Sequence, residues 1–321
     1  GGVDMTDTQN EAFKTPVNKI RLFEHGAPGS QNLKLTRKYY TEDMPDGRVK
    51  HIVQNITDPD IVPYIPDGIG NSTDRQRIPA VLIIPGGAFR RLVYNFEGED
   101  VAKWLNSMGI AAFVLECRLP SDEHDNAEDV PLIDAMRAMR VIRGRAQEFG
   151  IDEAKIGVMG FSAGGFMAAL LSTAYESDVY ADYKYKDEYD KLSARPDFAV
   201  CSYPVISIDD CIEAGKRYMS EEQVLERISD SKAKILHKYN PDKLVRPDMP
   251  PVFICETDDD RTTLSENSVG FYMAARKAGV SAELHIFRTG GHGYGCGDDF
   301  AQTGEWKVLF TKWIKSIGII S

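Results

Sequence analysis

From residue 78 onward, short apolar runs alternate with stretches in which apolar residues recur every three or four positions. Residues 80–84, 110–115, 156–159, 198–202, 252–255 and 284–287 are the short runs, and each predicts a strand buried on both faces. Between the first two, Val101, Trp104, Leu105 and Met108 fall at helical spacing, with Gly109 as the stop. Leu132, Ala135, Met136, Met139, Ala146 and Phe149 trace one face of a long helix, with Pro131 near its start and Gly150 at its end. Residues 166–175 form another helical stretch, a further one ends at Gly279, and Trp306, Leu309, Phe310, Trp313 and Ile317 stripe the last. Such alternation implies crossover connections, hence an α/β fold with a mostly parallel central sheet flanked by helices on both faces.

Two regions depart from this rhythm. Residues 33–40 and 48–56 predict two antiparallel strands opening a sheet, and the proline-bearing stretch 58–67 predicts a loop; residues 1–75 are thus N-terminal strands and loops. Between two core strands, Ser220 and Gln223 have capping-box spacing, followed by Val224, Leu225 and Ile228 at helical spacing. Residues 207–248 therefore form a small helical insertion, either a cap over a site or a solvated excursion. No repeat or low-complexity linker divides the 321 residues, which points to one domain over 1–321.

Composition narrows the function classes. Hydrophobic residues make up 42% and charged residues 27%, an ordinary globular balance. The formal charge of −11 repels phosphate backbones and anionic lipid, which disfavours nucleic acid and membrane surfaces as partners. No apolar run reaches the roughly 18 residues of a spanning helix. The polar stretch 1–10 lacks the apolar core of a secretory signal, although Gly1-Gly2 ahead of Met5 is compatible with removal of a leader. Five cysteines, an odd number without a CxxC pair, argue against a disulfide framework or zinc site and favour a cytoplasmic setting. No metal site is expected.

The candidate chemistry starts at Gly160-Phe-Ser-Ala-Gly164, a G-x-S-x-G pattern. A strand precedes it and an Ala/Leu-rich helix follows, the setting of a nucleophile elbow presenting Ser162. A serine hydroxyl needs a base beside it. Of six histidines, His292 stands on a glycine-flanked loop after the last strand, whereas His285 alternates within that strand and reads as structural. The acid that orients the base is expected just after residues 252–255, where Asp258-Asp259-Asp260 follow; Asp260 is preferred, with Asp259 the alternative. Backbone N–H groups for an oxyanion are expected from Ala163 and from the loop Pro85-Gly-Gly-Ala-Phe89, with Gly87 and Ala88 as donors and Gly86 as an alternative.

Taken together these residues resemble the esterase/lipase branch of the α/β-hydrolases, and within it the acetyl-xylan-esterase-like carbohydrate esterases. The blocks that carry the resemblance are Pro85 to Phe89, Glu97 to Asn106, Asp134 to Arg145, Ile156 to Gly165, Arg195 to Phe198, Ala282 to His285 and Gly290 to Gly293. The resemblance implies an α/β-hydrolase fold and Asp260 as the acid. It also implies cofactor-free hydrolysis of short acyl esters, often acetyl groups on plant-derived sugars, so the expected partner is a small-molecule or oligosaccharide ester. Two departures stand out: Ala88 occupies the place of a third loop glycine, and Arg261-Thr262-Thr263 follows the acid where the family usually has Pro and Val. A peptidase or amidase on the same residues, or a binding protein without activity, are the competing readings. Acyl length, the alcohol and the oligomeric state are not specified.

Overall fold

The computed structural model describes residues 13, 17–69, 76–228 and 230–321; the polar stretch 1–10 lies outside them. Eleven strands and ten α-helices are described. The strands are β1 (Ile20–Arg21), β2 (Lys38–Asp43), β3 (Val49–Gln54), β4 (Asp60–Tyr64), β5 (Ile78–Ile84), β6 (Leu92–Val93), β7 (Ala111–Glu116), β8 (Ile151–Phe161), β9 (Ala199–Ser202), β10 (Val252–Thr257) and β11 (Ala282–Phe287). The helices are α1 (Asp100–Ser107), α2 (Val130–Gly144), α3 (Ala146–Phe149), α4 (Ala163–Ala174), α5 (Ile208–Lys216), α6 (Glu221–Arg227), α7 (Asp230–Lys238), α8 (Pro241–Leu244), α9 (Ser265–Lys277) and α10 (Glu305–Ser316).

Eight strands form one sheet in the order β1-β4-β7-β5-β8-β9-β10-β11. From β7 to β11 all neighbours are parallel, and β4 and β1 add an antiparallel edge. Every residue of β7, β9 and β10 is buried, which is why these strands read as unbroken apolar runs. On one face α1 and α10 meet through Trp104 against Trp306 and Phe310, while α2 and α4 pack together on the other.

The two N-terminal strands are antiparallel partners as expected: β2 and β3 pair with each other and, through β6, form a three-stranded sheet separate from the main one. Their polar positions (Lys38, Glu42, Asp43, Lys50) could not be buried on both faces of a central sheet. The loop expected over 58–67 needs correction, because β4 lies within it. β1 covers only Asp60 and Ile61 of that strand, so Pro63 sits where the outer side is uncovered and a missing N–H is tolerated.

The insertion 207–248 is helical as expected, comprising α5 to α8, and Ser220 and Gln223 do form a capping box. Val224, Ile235 and Leu236 are buried beneath it, and Lys238 and Tyr239 both bond to Asp129 at the start of α2. Among the described residues no helix is long and apolar enough to cross a membrane.

Candidate active site

The C-terminal ends of the parallel strands share one rim, the usual site of ligand chemistry in such sheets. Residues 85–89 follow β5 there, Ser162 follows β8, Tyr203 follows β9, Asp260 follows β10 and His292 follows β11.

Ser162 occupies a tight strand-to-helix turn at φ 56°, ψ −117°, a conformation that costs a non-glycine residue roughly 1–3 kcal/mol. Its backbone is held by three bonds, N–H to the Ser202 carbonyl and C=O from the Phe166 and Val205 N–H groups. The turn is so tight that a Cβ on Gly160 would lie 1.9 Å from the Gly164 carbonyl oxygen, and one on Gly164 equally close to that of Ile84. Both glycines of the G-x-S-x-G pattern are therefore demanded by backbone approach.

The Ser162 hydroxyl lies 2.8 Å from His292 Nε2, and His292 Nδ1 lies 2.7 Å from Asp260 Oδ2. Asp260 is 2% exposed. Its Oδ1 accepts the Thr262 and Thr263 N–H groups, each at 2.8 Å, and Thr263 Oγ1 lies 3.0 Å from Oδ2. Burial alone would push this carboxyl up. The hydrogen bond and charge of His292, with the Thr263 and Thr262 N–H groups, outweigh burial and hold it below the usual carboxylate range. The unusual Thr262-Thr263 sequence thus supplies two N–H donors, one of which a proline at either position would remove.

The alternative acid, Asp259, points elsewhere: its Oδ1 accepts the Gly291 N–H at 2.8 Å, steadying the residue before His292. His285 lies on β11, 3.0 Å from Glu283 of the same strand.

Of the three N–H groups proposed to face an oxyanion, that of Ala163 opens α4 and precedes its first internal bond. Those of Gly87 and Ala88 make no hydrogen bond among the described residues. Gly86 is different, because its N–H donates to Glu97 Oε1 at 3.1 Å. The alternative donor is thereby occupied.

Two residues at this rim were not anticipated from sequence. Glu97, buried in the short π-helix Asn95–Glu99 that runs into α1, accepts the Tyr203 hydroxyl on Oε2 at 2.6 Å. Tyr203 stands edge-on to the His292 ring, with 4.9 Å between centroids. Glu97 opens one of the blocks that carry the family resemblance, but nothing local in Asn95-Phe-Glu-Gly-Glu-Asp100 marks it for a role.

The BD-FAE family model matches residues 69–274. An acetylxylan esterase from Xylanibacter ruminicola is 31% identical over 240 residues, 74% of this chain and 45% of that protein. Endo-1,4-beta-xylanase B from Butyrivibrio fibrisolvens is 31% identical over 227 residues, 70% of this chain and 34% of that protein. The match therefore spans less than half the length of either curated relative. Among solved structures, an acetyl ester-xyloside bifunctional hydrolase from Caldicellulosiruptor lactoaceticus superimposes with a TM-score of 0.71 at 35% identity, covering 94% of this chain and 97% of that one. This chain belongs to the BD-FAE family, among the acetyl-xylan-esterase-like α/β-hydrolases.

Proposed function

We propose that the chain is a serine esterase that removes short acyl groups, chiefly acetyl, from xylan-derived or similar plant sugars. One observation carries this reading: a serine hydroxyl at a strained elbow lies 2.8 Å from an imidazole whose other nitrogen lies 2.7 Å from a buried carboxylate. The names of the similar proteins, an acetylxylan esterase and an acetyl ester-xyloside hydrolase, support the acetylated-sugar side.

Ser162 Oγ attacks the ester carbonyl while His292 Nε2 takes its proton, and Asp260 stabilises the resulting imidazolium. The N–H groups of Ala163, Gly87 and Ala88 receive the negative oxygen of the tetrahedral intermediate. His292 then protonates the departing sugar hydroxyl, leaving the acyl group on Ser162. Water, deprotonated by His292, releases the acid and restores the serine. No step requires a cofactor.

We read 1–321 as one domain with 207–248 as an insertion that begins just after Val205, whose N–H is bonded to the Ser162 carbonyl. Five free thiols support a cytoplasmic setting.

Ser162→Ala is expected to lower kcat on p-nitrophenyl acetate by roughly 10⁴–10⁶. Hydrolysis persisting near the wild-type rate would overturn the mechanism.

A further inference from the structure

The loop expected to bind the oxyanion is not held by favourable backbone geometry. Ala88 and Phe89, both non-glycine, sit consecutively at φ 57° and 61°, a left-handed conformation that persists only when its surroundings enforce it. Phe89 is anchored against Phe166, with 5.5 Å between ring centroids. The root of the loop, Gly86, is anchored by Glu97.

We propose that Glu97 and Tyr203 are positioning residues for the reaction, forming a buried brace that sets the oxyanion loop and the His292 loop relative to each other. The inference rests on the esterase reading above. Glu97 binds the Gly86 N–H with one oxygen and the Tyr203 hydroxyl with the other. That hydroxyl in turn accepts the Gly295 N–H at 3.0 Å, three residues beyond His292. The Tyr203 carbonyl lies 3.0 Å from Thr263 Oγ1, which itself lies 3.1 Å from His292 Nδ1. One tyrosine therefore touches the loops that follow β5 (through Glu97), β10 and β11.

The arrangement fits an ionised Glu97. Both its partners donate to it, one to each carboxylate oxygen. Burial outweighs the Tyr203 hydroxyl, the nearby His292, the Gly86 N–H and Lys50, and leaves this carboxyl above its ordinary range. The titratable groups facing it are thus Tyr203 after β9, His292 after β11 and Lys50 on β3, while β5 and β6 carry none. Around the imidazole the corresponding groups are Asp260, Tyr203 and Glu97.

The test measures p-nitrophenyl acetate kinetics across pH, alongside thermal melts, for wild type, Glu97→Gln and Tyr203→Phe. Each variant is expected to lose about 10–100-fold in kcat with KM within about threefold, as displaced transition-state donors require. Glu97→Gln also removes a negative charge near the imidazolium, so the acid limb of its kcat/KM profile moves to lower pH. Tyr203→Phe keeps that charge and leaves the limb in place. Should Glu97→Gln fail to fold, the kcat and KM of Tyr203→Phe, which retains ring and charge, decide the matter. An active wild type whose variants show lower melting temperatures but unchanged kcat and acid limb overturns the brace alone. An inactive wild type overturns the esterase reading, and the brace with it.

Discussion

At the end of β10 two carboxyl groups stand four residues apart, Glu256 within the strand and Asp260 in the loop beyond it. Glu256 is 0% exposed and Asp260 2%, yet they are driven in opposite directions. Asp260 is held below the ordinary range, whereas Glu256 is pushed up to about 10 by burial and by the charge of Asp260. The difference lies in their donors. Asp260 faces two backbone N–H groups, a threonine hydroxyl and an imidazole. Glu256 has the N–H of Thr257 and a long contact of 3.3 Å from Ser268. Equal burial does not give equal charge; at this strand end the placing of donors decides which carboxyl ionises. The loop region serves the base, and the strand region keeps its acid neutral behind it.

The comparison is broken most forcefully at Asp260. Asp260→Asn keeps the shape but offers an amide where His292 needs a charged acceptor, so the imidazole loses its preferred tautomer. A fall in kcat of about 10³–10⁴ is expected on p-nitrophenyl acetate, as for other triads of this kind. If the loss stays within tenfold, Asp260 does not orient the base and its many donors serve the loop only.

How much of this was legible in the sequence depended on whether a residue's role was local. The parallel strands were legible because burial on both faces leaves an unbroken apolar run, as in β5 and β10. β8 proved longer than its apolar part, since Asp152, Glu153 and Lys155 project from its first half. β4 was hidden by Pro63 and Asp60, and β6, only two residues long, carried no periodicity at all. Ser162 and His292, 130 residues apart, were found because the elbow and the glycine loop each have a local signature. Glu97 and Tyr203, 106 residues apart, have none, and only their meeting gives either a role. The choice among three aspartates was of the same type, and contacts with His292 and Gly291 separate Asp260 from Asp259.

A second way to sharpen the contrast is to remove the proton from Glu256. Its folded value lies above the ordinary 4.5, so its contribution to stability is full below about pH 4.5 and is lost as pH rises toward about 10. Over that window the unfolded chain releases a proton that the folded chain retains. Glu256→Gln mimics the neutral acid, keeps a donor toward Asp260 and does not titrate. Its melting temperature is expected to match wild type near pH 4.5 and to exceed it by about 3–8 °C near pH 8.5. A variant that melts lower than wild type at pH 8.5 would mean Glu256 is ionised there, and the donor rule would fail at its second carboxyl.

The smallest effect belongs to Asp259, which shares the loop with Asp260 but faces solvent. Its carboxyl is held low chiefly by the Gly291 N–H, the bond through which it touches the residue before His292 directly. That residue is also tied by its carbonyl, which accepts the Thr257 hydroxyl at 2.7 Å. Losing one of two anchors on an exposed loop leaves the other to define its position, so Asp259→Ala is expected to lower kcat/KM by only about two- to fivefold, the scale of a solvent-screened contact. Asp259→Asn, which retains an acceptor oxygen, is expected to recover most of that loss. A hundredfold fall in the alanine variant would show the exposed aspartate acting on the imidazole itself. The division of labour between the two neighbours, one carboxylate for the base and one for its loop, would then have to be redrawn.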